Sequence, residues 1–174
     1  MLTQYYTACS LDGFIATADH SLEWLFRQDI DEEGPMSYSG FGSRKGALAM
    51  GRTTYEWILE HEEAWEFTSP TWVFTHRELE VPDGRKVTRA QGDVRMAHAE
   101  MVEAAEGKNV WIVGGGDLVG QFADAGLLDE MWVQYAPVTL GSGAPLLPRA
   151  LDLKLEEVAR NRDFICGRFS VVSG

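Results

Sequence analysis

Short apolar strands alternate with helices along most of the sequence, and this order restricts the folds that the chain can adopt. In the clearest unit, a buried strand over 109–113 runs through the glycine turn 114–116 into a helix over 117–125. A helix between two strands carries the chain back to the edge of the sheet at which the first strand began, so the two strands are parallel. The alternation therefore predicts a parallel sheet at the centre of the fold.

The end of the chain follows a different pattern, because its last two strands have no helix between them. Arg162 and Asp163 are predicted to form the turn of an antiparallel hairpin. The prediction is a single α/β domain over 1–174 with three layers, in which a mixed, mostly parallel sheet has helices on both faces. Strands are expected over 2–9, 46–50, 71–75, 109–113, 130–137, 154–161 and 164–172, and helices over 51–62, 94–106 and 117–125, with one further helix among the loops of 21–41.

The acidic charge of the chain restricts its partners. Asp and Glu number 27 against 15 Lys and Arg, a formal net charge of −12, which repels nucleic-acid phosphates and anionic lipids. An anionic cofactor stays possible, because a few Arg side chains and backbone amides can make a pocket locally positive. Cys9 and Cys166 lack the spacing of a zinc site or a disulfide framework, so we expect buried thiols and no metal. No apolar run is long enough to span a membrane, and we expect a cytoplasmic protein.

The strongest candidate for a ligand site is the glycine turn between strand and helix. Three residues without Cβ atoms let a ligand approach the backbone, and the following helix turns its free amides toward that position. Phosphates fit such a site, although a tight turn without a ligand is the alternative. The residues concerned are Gly114, Gly115, Gly116 and Asp117, followed by Leu118 and Val119.

Two further strand ends carry groups that bind phosphate. At the first, an Arg and two hydroxyl residues open a helix, where the alternative is a capped helix with a solvated Arg. The second is equally compatible with a surface turn. Together the three junctions suggest a nucleotide along the carboxyl edge of the sheet, without the G-x-G-x-x-G pattern of dinucleotide-binding domains. These two junctions contain Gly51, Arg52, Thr53 and Thr54, and Thr75, His76 and Arg77.

The order of these motifs carries a family resemblance. The chain resembles the dihydrofolate-reductase-like superfamily, and within it the C-terminal reductase domain of the riboflavin-biosynthesis deaminase-reductases. The resemblance covers essentially the whole chain. Its motifs are Ser10-Leu-Asp-Gly-Phe-Ile-Ala16, Trp24-Leu25, Met50-Gly-Arg-Thr-Thr-Tyr-Glu56, Phe74-Thr75, Val113-Gly-Gly-Gly116 and Asp129-Glu-Met131, with Pro137-Val-Thr-Leu-Gly-Ser-Gly143.

The resemblance implies an NADPH-dependent reductase. By this comparison the glycine turn and its helix hold the pyrophosphate and nicotinamide side, and Gly51 to Thr54 form a second phosphate cradle. Thr75, His76 and Arg77 lie near the adenosine 2′-phosphate, and Ala8 and Ile15 border the nicotinamide ring. The implied substrate is a small heterocycle such as 5-amino-6-(5-phosphoribosylamino)uracil, and a homodimer is expected, with the apolar residues 144–147 as an exposed patch.

The substrate side leaves more alternatives open. Asp12 either delivers a proton or contacts substrate, or it caps the Asp-Gly turn. Trp24 either lines the substrate cleft or belongs to the core, and Gln134 is a candidate substrate contact on a central strand. His20, His61 and His98 are expected to face solvent.

Two other functions remain possible. Dihydrofolate reductase would need a carboxylate for the pterin, for which Glu32 and Glu33 are the nearest acids. A binding module for NADPH without turnover is the alternative from another class. Basic residues for a substrate phosphate, or simply solubilising charges, are Arg27, Arg44 and Lys45.

Overall fold

The computed structural model describes residues 1–61 and 67–172, which form ten strands and five helices. The first half contains β1 (Thr3–Ser10), β2 (Phe14–Ala16), α1 (Glu23–Phe26), α2 (Tyr38–Gly42), β3 (Lys45–Gly51), α3 (Arg52–His61), β4 (Thr71–Phe74) and β5 (Val87–Ala90). The second half contains α4 (Val94–Ala104), β6 (Asn109–Gly114), α5 (Gly116–Asp124), β7 (Glu130–Ala136), β8 (Ala144–Pro145), β9 (Leu153–Asn161) and β10 (Phe164–Val171).

The main sheet has eight strands in the order β5-β4-β3-β6-β1-β7-β10-β9. Each pairing from β5 to β7 is parallel, whereas β10 pairs antiparallel with both β7 and β9. The short strands β2 and β8 form a separate antiparallel pair. The predicted mixed, mostly parallel sheet is therefore confirmed.

Helices cover both faces of this sheet, as the alternation of side chains along β3 shows. Ala47 and Ala49 belong to the core cluster that contains the buried residues of α4 and α5. Their neighbours Leu48 and Met50 point to the opposite face, where they pack in the clusters that contain Phe41 of α2 and Tyr55 of α3. Because successive residues of a strand face opposite sides, one run of apolar residues supplies both cores.

Four parts of the secondary structure differ from the prediction. The segment 21–41 enters two short helices, α1 and α2, instead of one. The edge strand β5 and the short strands β2 and β8 were not predicted; the two middle residues of β5 are exposed, so it lacks an apolar run.

The predicted hairpin turn is confirmed, since Asn161 pairs with Phe164 across Arg162 and Asp163. The predicted end of the third helix, Glu62, lies outside the described residues.

Several predictions about exposure can be compared with the structure. Cys9 and Cys166 are buried and free, as expected. His98 is only partly exposed, against the expectation that it faces solvent: its Nε2 lies 2.8 Å from the hydroxyl of Thr3, because α4 packs against the sheet. None of the described helices has the length and apolar character needed to cross a bilayer.

The exposed apolar patch expected at 144–147 is not there. Leu146 and Leu147 pack against the main core, and β8 pairs with β2. Exposed apolar side chains lie instead on one face of the hairpin β9–β10, a group that we call the hairpin strip: Leu153, Leu155, Val158 and Ile165.

Candidate functional site

A cleft of 590 Å³ opens where β3, β4 and β6 end. Its walls come from these strand ends, from the first turns of α3 and α5, and from β2 together with the segment 144–148. Met50 and Gly114 are paired in the register of β3 and β6, so the two strands end side by side and the helices that follow them begin at the same place. The convergence of junctions expected from the sequence is therefore found at two of the three strand ends.

The glycine turn forms one wall, and its residues differ in what they face. The peptide bond between Gly114 and Gly115 is cis. Gly115 is the N-cap of α5, with φ −84° and no side-chain hydrogen bond to the helix end. A Cβ atom added to Gly115 would have Ile15 Cδ1 as its nearest neighbour, 3.9 Å away, so this backbone is open toward the cleft.

Gly116 is small for another reason. A Cβ atom at this position would overlap the carbonyl oxygen of Pro145 and lie 2.6 Å from that of Leu146. Contact with the segment 144–148, and not access of a ligand, therefore requires glycine here. The explanation given from the sequence, that the missing Cβ lets a ligand approach the backbone, is therefore wrong for Gly116.

The second wall begins at Gly51 and continues through the first turn of α3. Gly51, Arg52, Thr53 and Thr54 all line the cleft. A Cβ atom on Gly51 would lie 3.8 Å from Gly114 O and Gly115 N, which measures how closely the two junctions approach. The side chain of Arg52 is held at the rim, where Nε donates to Glu56 at 2.6 Å and Nη1 to the carbonyl of Glu78 at 2.9 Å.

The third junction lies beside the cleft and does not line it. Thr75 Oγ1 accepts a hydrogen bond from the backbone N–H of Arg77, and both His76 and Arg77 are exposed. Arg89 of β5 donates to the carbonyl of Arg77 at 3.4 Å and to Glu78 Oε1 at 3.1 Å. Sequence reasoning missed Arg89 because β5 was not predicted. The side chains of Arg52 and Arg89 both contact Glu78, the residue that follows Arg77.

Two predicted cofactor residues next to the cleft do not line it. They are Val119 and Ala8, whereas Ile15 and Leu118 line the cleft as predicted. Val119 is fully buried in the core. Ala8 also faces away, because its side chain packs in the cluster around Trp24, and the preceding residue, Thr7, lines the cleft instead. The alternation of side chains along β1 explains the exchange of Ala8 for Thr7.

The predicted substrate residues gather around Ala8 and lie outside the cleft. Trp24 is buried, and within the described residues its Nε1 has no hydrogen-bond partner. Gln134 is paired with Ala8 in the sheet register. Its Nε2 donates to the carbonyl of Met36 at 2.6 Å, and its Oε1 accepts from the thiol of Cys166 at 2.7 Å.

Asp12 holds a loop together. Its carboxylate accepts hydrogen bonds from the hydroxyl of Ser10 at 2.6 Å and from the backbone N–H groups of Leu140 and Gly141, the latter at 2.7 Å. These hydrogen bonds, that of Ser10 first, lower the pKa of Asp12. The residue does not line the cleft, so a role in proton delivery stays a prediction.

The remaining charged candidates lie elsewhere. Lys45 begins β3, at the opposite end from the cleft, where it contacts the hydroxyl of Tyr38 and lies over aromatic rings. Neither Arg27 nor Arg44 lines the cleft, and both are exposed. Glu32 and Glu33 are exposed in the loop that Asn161 anchors through Asp31. Among the described residues that line the cleft, Asp117 is the one carboxylate.

Several lining residues were missed. His20 was expected only to face solvent, yet it is presented at the cleft by the turn in which Thr17 N–H bonds the carbonyl of Ser21. Trp57 follows Thr54 by three residues on α3, and Gln121 follows Asp117 by four on α5. This spacing places each pair on one helix face, and it is the signal that identifies Trp57 and Gln121 from the sequence.

Comparisons with known proteins agree with this fold. The sequence-family model of the RibD C-terminal domain matches residues 53–163 of this chain. The "Uncharacterized protein YwjB" of Bacillus subtilis (strain 168) is 35% identical over 145 residues, which cover 83% of this chain and 81% of that protein.

Solved structures extend the comparison to the whole chain. A crystal structure from Shewanella sp. PV-4, provisionally designated a riboflavin biosynthesis protein, has 27% identity and a TM-score of 0.85, with 99% of this chain and 100% of that chain covered. Dihydrofolate reductase from Enterococcus faecalis, complexed with NADP(H), shares the fold at 13% identity and a TM-score of 0.60, with 99% and 97% covered. The chain belongs to the RibD C-terminal domain family and has a dihydrofolate-reductase-like fold.

Proposed function

We propose that this chain is an NADPH-dependent reductase that transfers hydride to a small heterocycle, in the manner of 5-amino-6-(5-phosphoribosylamino)uracil reductase. The observation that carries the proposal is the meeting of two helix N-termini, those of α3 and α5, at one cleft. Helix N-termini bind anionic phosphates through their free backbone amides. Membership of a family of reductase domains supports the reaction class.

The residues present fit the phosphates of such a cofactor. Gly51 and Gly115 leave the backbone uncovered, and the hydroxyl groups of Thr53 and Thr54 add donors beside it. The exposed Arg77, with Arg52 and Arg89 around Glu78, offers positive charge for the additional 2′-phosphate of NADPH. His76 and Thr75 belong to the same turn.

Bound NADPH supplies the hydride. The chain holds the nicotinamide ring and the substrate in contact and excludes water from them. Ile15 is proposed to border the ring, and Ala8 to do so through its backbone, because its side chain is directed toward Trp24. Trp24 and Gln134, which lie beside Ala8 and outside the cleft, are proposed to contact the substrate.

The arrangement of acids favours a pyrimidine-like substrate over a pterin. Glu32 and Glu33 are exposed loop residues, whereas the proposed substrate contacts Trp24 and Gln134 are buried beside Ala8, so neither acid belongs to that group. Dihydrofolate reductase is therefore the second candidate. A binding module without turnover is the third.

The first experiment compares wild type with Gly115→Ala. At φ −84° and with 3.9 Å to the nearest atom, alanine fits the folded chain, so we expect an unchanged melting temperature. The new methyl group occupies the surface that a phosphate would approach, so NADPH affinity is expected to fall about tenfold or more, which is about 1.4 kcal/mol. Calorimetry and thermal melting measure both. Gly116→Ala is the matched control and should melt at a lower temperature, because its Cβ meets the carbonyl of Leu146.

The same wild-type protein is then given NADPH with a pyrimidine panel and with dihydrofolate, and loss of the reduced nicotinamide absorbance is followed. Oxidation with a pyrimidine supports the proposal, and oxidation with dihydrofolate alone supports the second candidate. Tight NADPH binding without oxidation by any member supports the binding module. Wild-type binding that survives Gly115→Ala unchanged contradicts the assignment of the cleft.

The preference for NADPH is tested by Arg77→Ala and Arg52→Ala. Loss of one charge-assisted hydrogen bond costs about 1.5–3 kcal/mol. NADPH affinity is therefore expected to fall about tenfold or more, and NADH affinity much less. Arg95→Gln, which removes an exposed Arg paired with Asp93 on α4, is the control. Equal losses for the two cofactors would exclude a contact with the 2′-phosphate.

Asp12→Asn separates a structural role of Asp12 from proton delivery. The lowered pKa means that ionised Asp12 stabilises the folded chain above the unfolded value of 3.8, and that this contribution disappears as the pH falls through the lower folded value. We expect Asp12→Asn to melt at a lower temperature near neutral pH, with the difference vanishing in acid. A reduced kcat with an unchanged melting curve would instead identify Asp12 as the proton donor.

A homodimer is proposed through the hairpin strip. Its four apolar side chains are 38–62% exposed and lie on one face of the sheet edge, where a second copy would cover them. Leu155→Lys should convert the dimer to a monomer, whereas Met96→Lys, at an exposed apolar position of α4, should not. Light scattering after gel filtration measures the mass. A monomeric wild type would contradict the proposal.

A further inference from the structure

Arg149 joins the segment after β8 to helix α5 through two of its three guanidinium nitrogens, and the third donates within the segment. Its Nε donates to Asp124 Oδ2 at 2.9 Å and its Nη2 to Asp117 Oδ1 at 3.1 Å. Its Nη1 donates to the carbonyl of Pro148 at 2.9 Å. Asp117 and Asp124 lie on the same side of α5 two turns apart, and Arg149 spans the distance between them.

Gly120 makes this arrangement possible. It lies between the two acids on α5, and a Cβ atom on it would lie 2.9 Å from Arg149 Cγ and 3.0 Å from Cζ. The guanidinium group thus lies directly on the helix backbone. The fourth glycine of the sequence Gly-Gly-Gly-Asp-Leu-Val-Gly is therefore explained by Arg149 and not by a ligand.

Asp117 creates an electrostatic conflict that Arg149 resolves. A carboxylate in the first turn of a helix stabilises the helix, but it repels a phosphate bound at the same end. Asp117 lines the cleft in that position. No other carboxylate lines the cleft within residues 1–61 and 67–172, so its charge is the main local obstacle to an anionic ligand.

We propose that Arg149 is a positioning residue of the cofactor site, which neutralises Asp117 and thereby keeps the N-terminus of α5 able to accept phosphate. This inference rests on the proposed function. Arg149 also holds Pro148, a lining residue, against the helix. The cofactor is not expected to contact Arg149, because Arg149 does not line the cleft and each of its three guanidinium nitrogens already donates to the chain.

The exposure of these groups makes binding the more sensitive measurement. The side chains of Arg149, Asp117 and Asp124 are 30%, 70% and 60% exposed. Exposed ion pairs contribute little to the stability of a fold. A merely structural role for Arg149 would change the melting temperature at most slightly, and NADPH affinity would not depend specifically on Asp117.

The test is a double-mutant cycle in which NADPH affinity is measured by calorimetry at low and high salt. Arg149→Gln should weaken NADPH binding about three- to tenfold at low salt, because Asp117 loses its ion pair and keeps only the neutral hydrogen bond from Gln121. The loss should be smaller at high salt, because salt screens the repulsion. Asp117→Asn in the Arg149→Gln background should restore most of the affinity. Asp124→Asn in that background is the matched control and should restore little, since Asp124 does not line the cleft.

Further variants keep the result interpretable. Arg149→Lys retains the positive charge and should keep most of the NADPH affinity. This variant tests the inference independently of whether Arg149→Gln folds well. Arg162→Gln removes another exposed Arg, one paired with Asp29, and should change nothing. Equal affinity of wild type and Arg149→Gln, or equal rescue by the two Asp variants, overturns the inference while the proposed function stands. Absence of NADPH binding to wild type overturns both.

Discussion

The register between β3 and β6 is the constraint on which the candidate site depends. Met50 and Gly114 are paired, so two parallel strands end at the same level, and each is followed at once by a helix. The N-termini of α3 and α5 are thereby brought to the same cleft at the sheet edge. A slip of one residue would reverse the faces of Leu48 and Met50 and remove both helices from this position, so the two cores fix the site.

Much of the fold can be predicted from the sequence because the central strands are buried on both faces. Such strands have continuous apolar runs, as in 46–50 and 109–113, and glycine marks their ends. Parallel strands alone predict that Gly51 and Gly115 lie at the same edge of the sheet, whereas their position side by side depends on the pairing of β3 with β6. The edge strand β5 has no such run, since its two central residues face solvent, and Arg89 was missed with it.

The rest depends on contacts that are distant in sequence. Gly115 and Gly116 are identical neighbours, yet one faces the cleft and the other meets Leu146, and only the path of the segment 144–148 distinguishes them. Asp12 has the turn-forming spacing expected from its sequence, but its partners Leu140 and Gly141 lie 128 and 129 residues away. No local pattern indicates that this carboxylate binds a second loop.

The net charge of the chain does not determine the charge within the cleft. A net charge of −12 predicts repulsion of anions by the protein as a whole. Screening limits that field to about 10 Å at moderate salt, so the groups within the cleft decide what binds there. Those groups are two helix N-termini, Arg52, His20 and a single described carboxylate that is paired with Arg149. The proposed phosphate site of this acidic protein therefore depends on these local groups and not on the net charge of the chain.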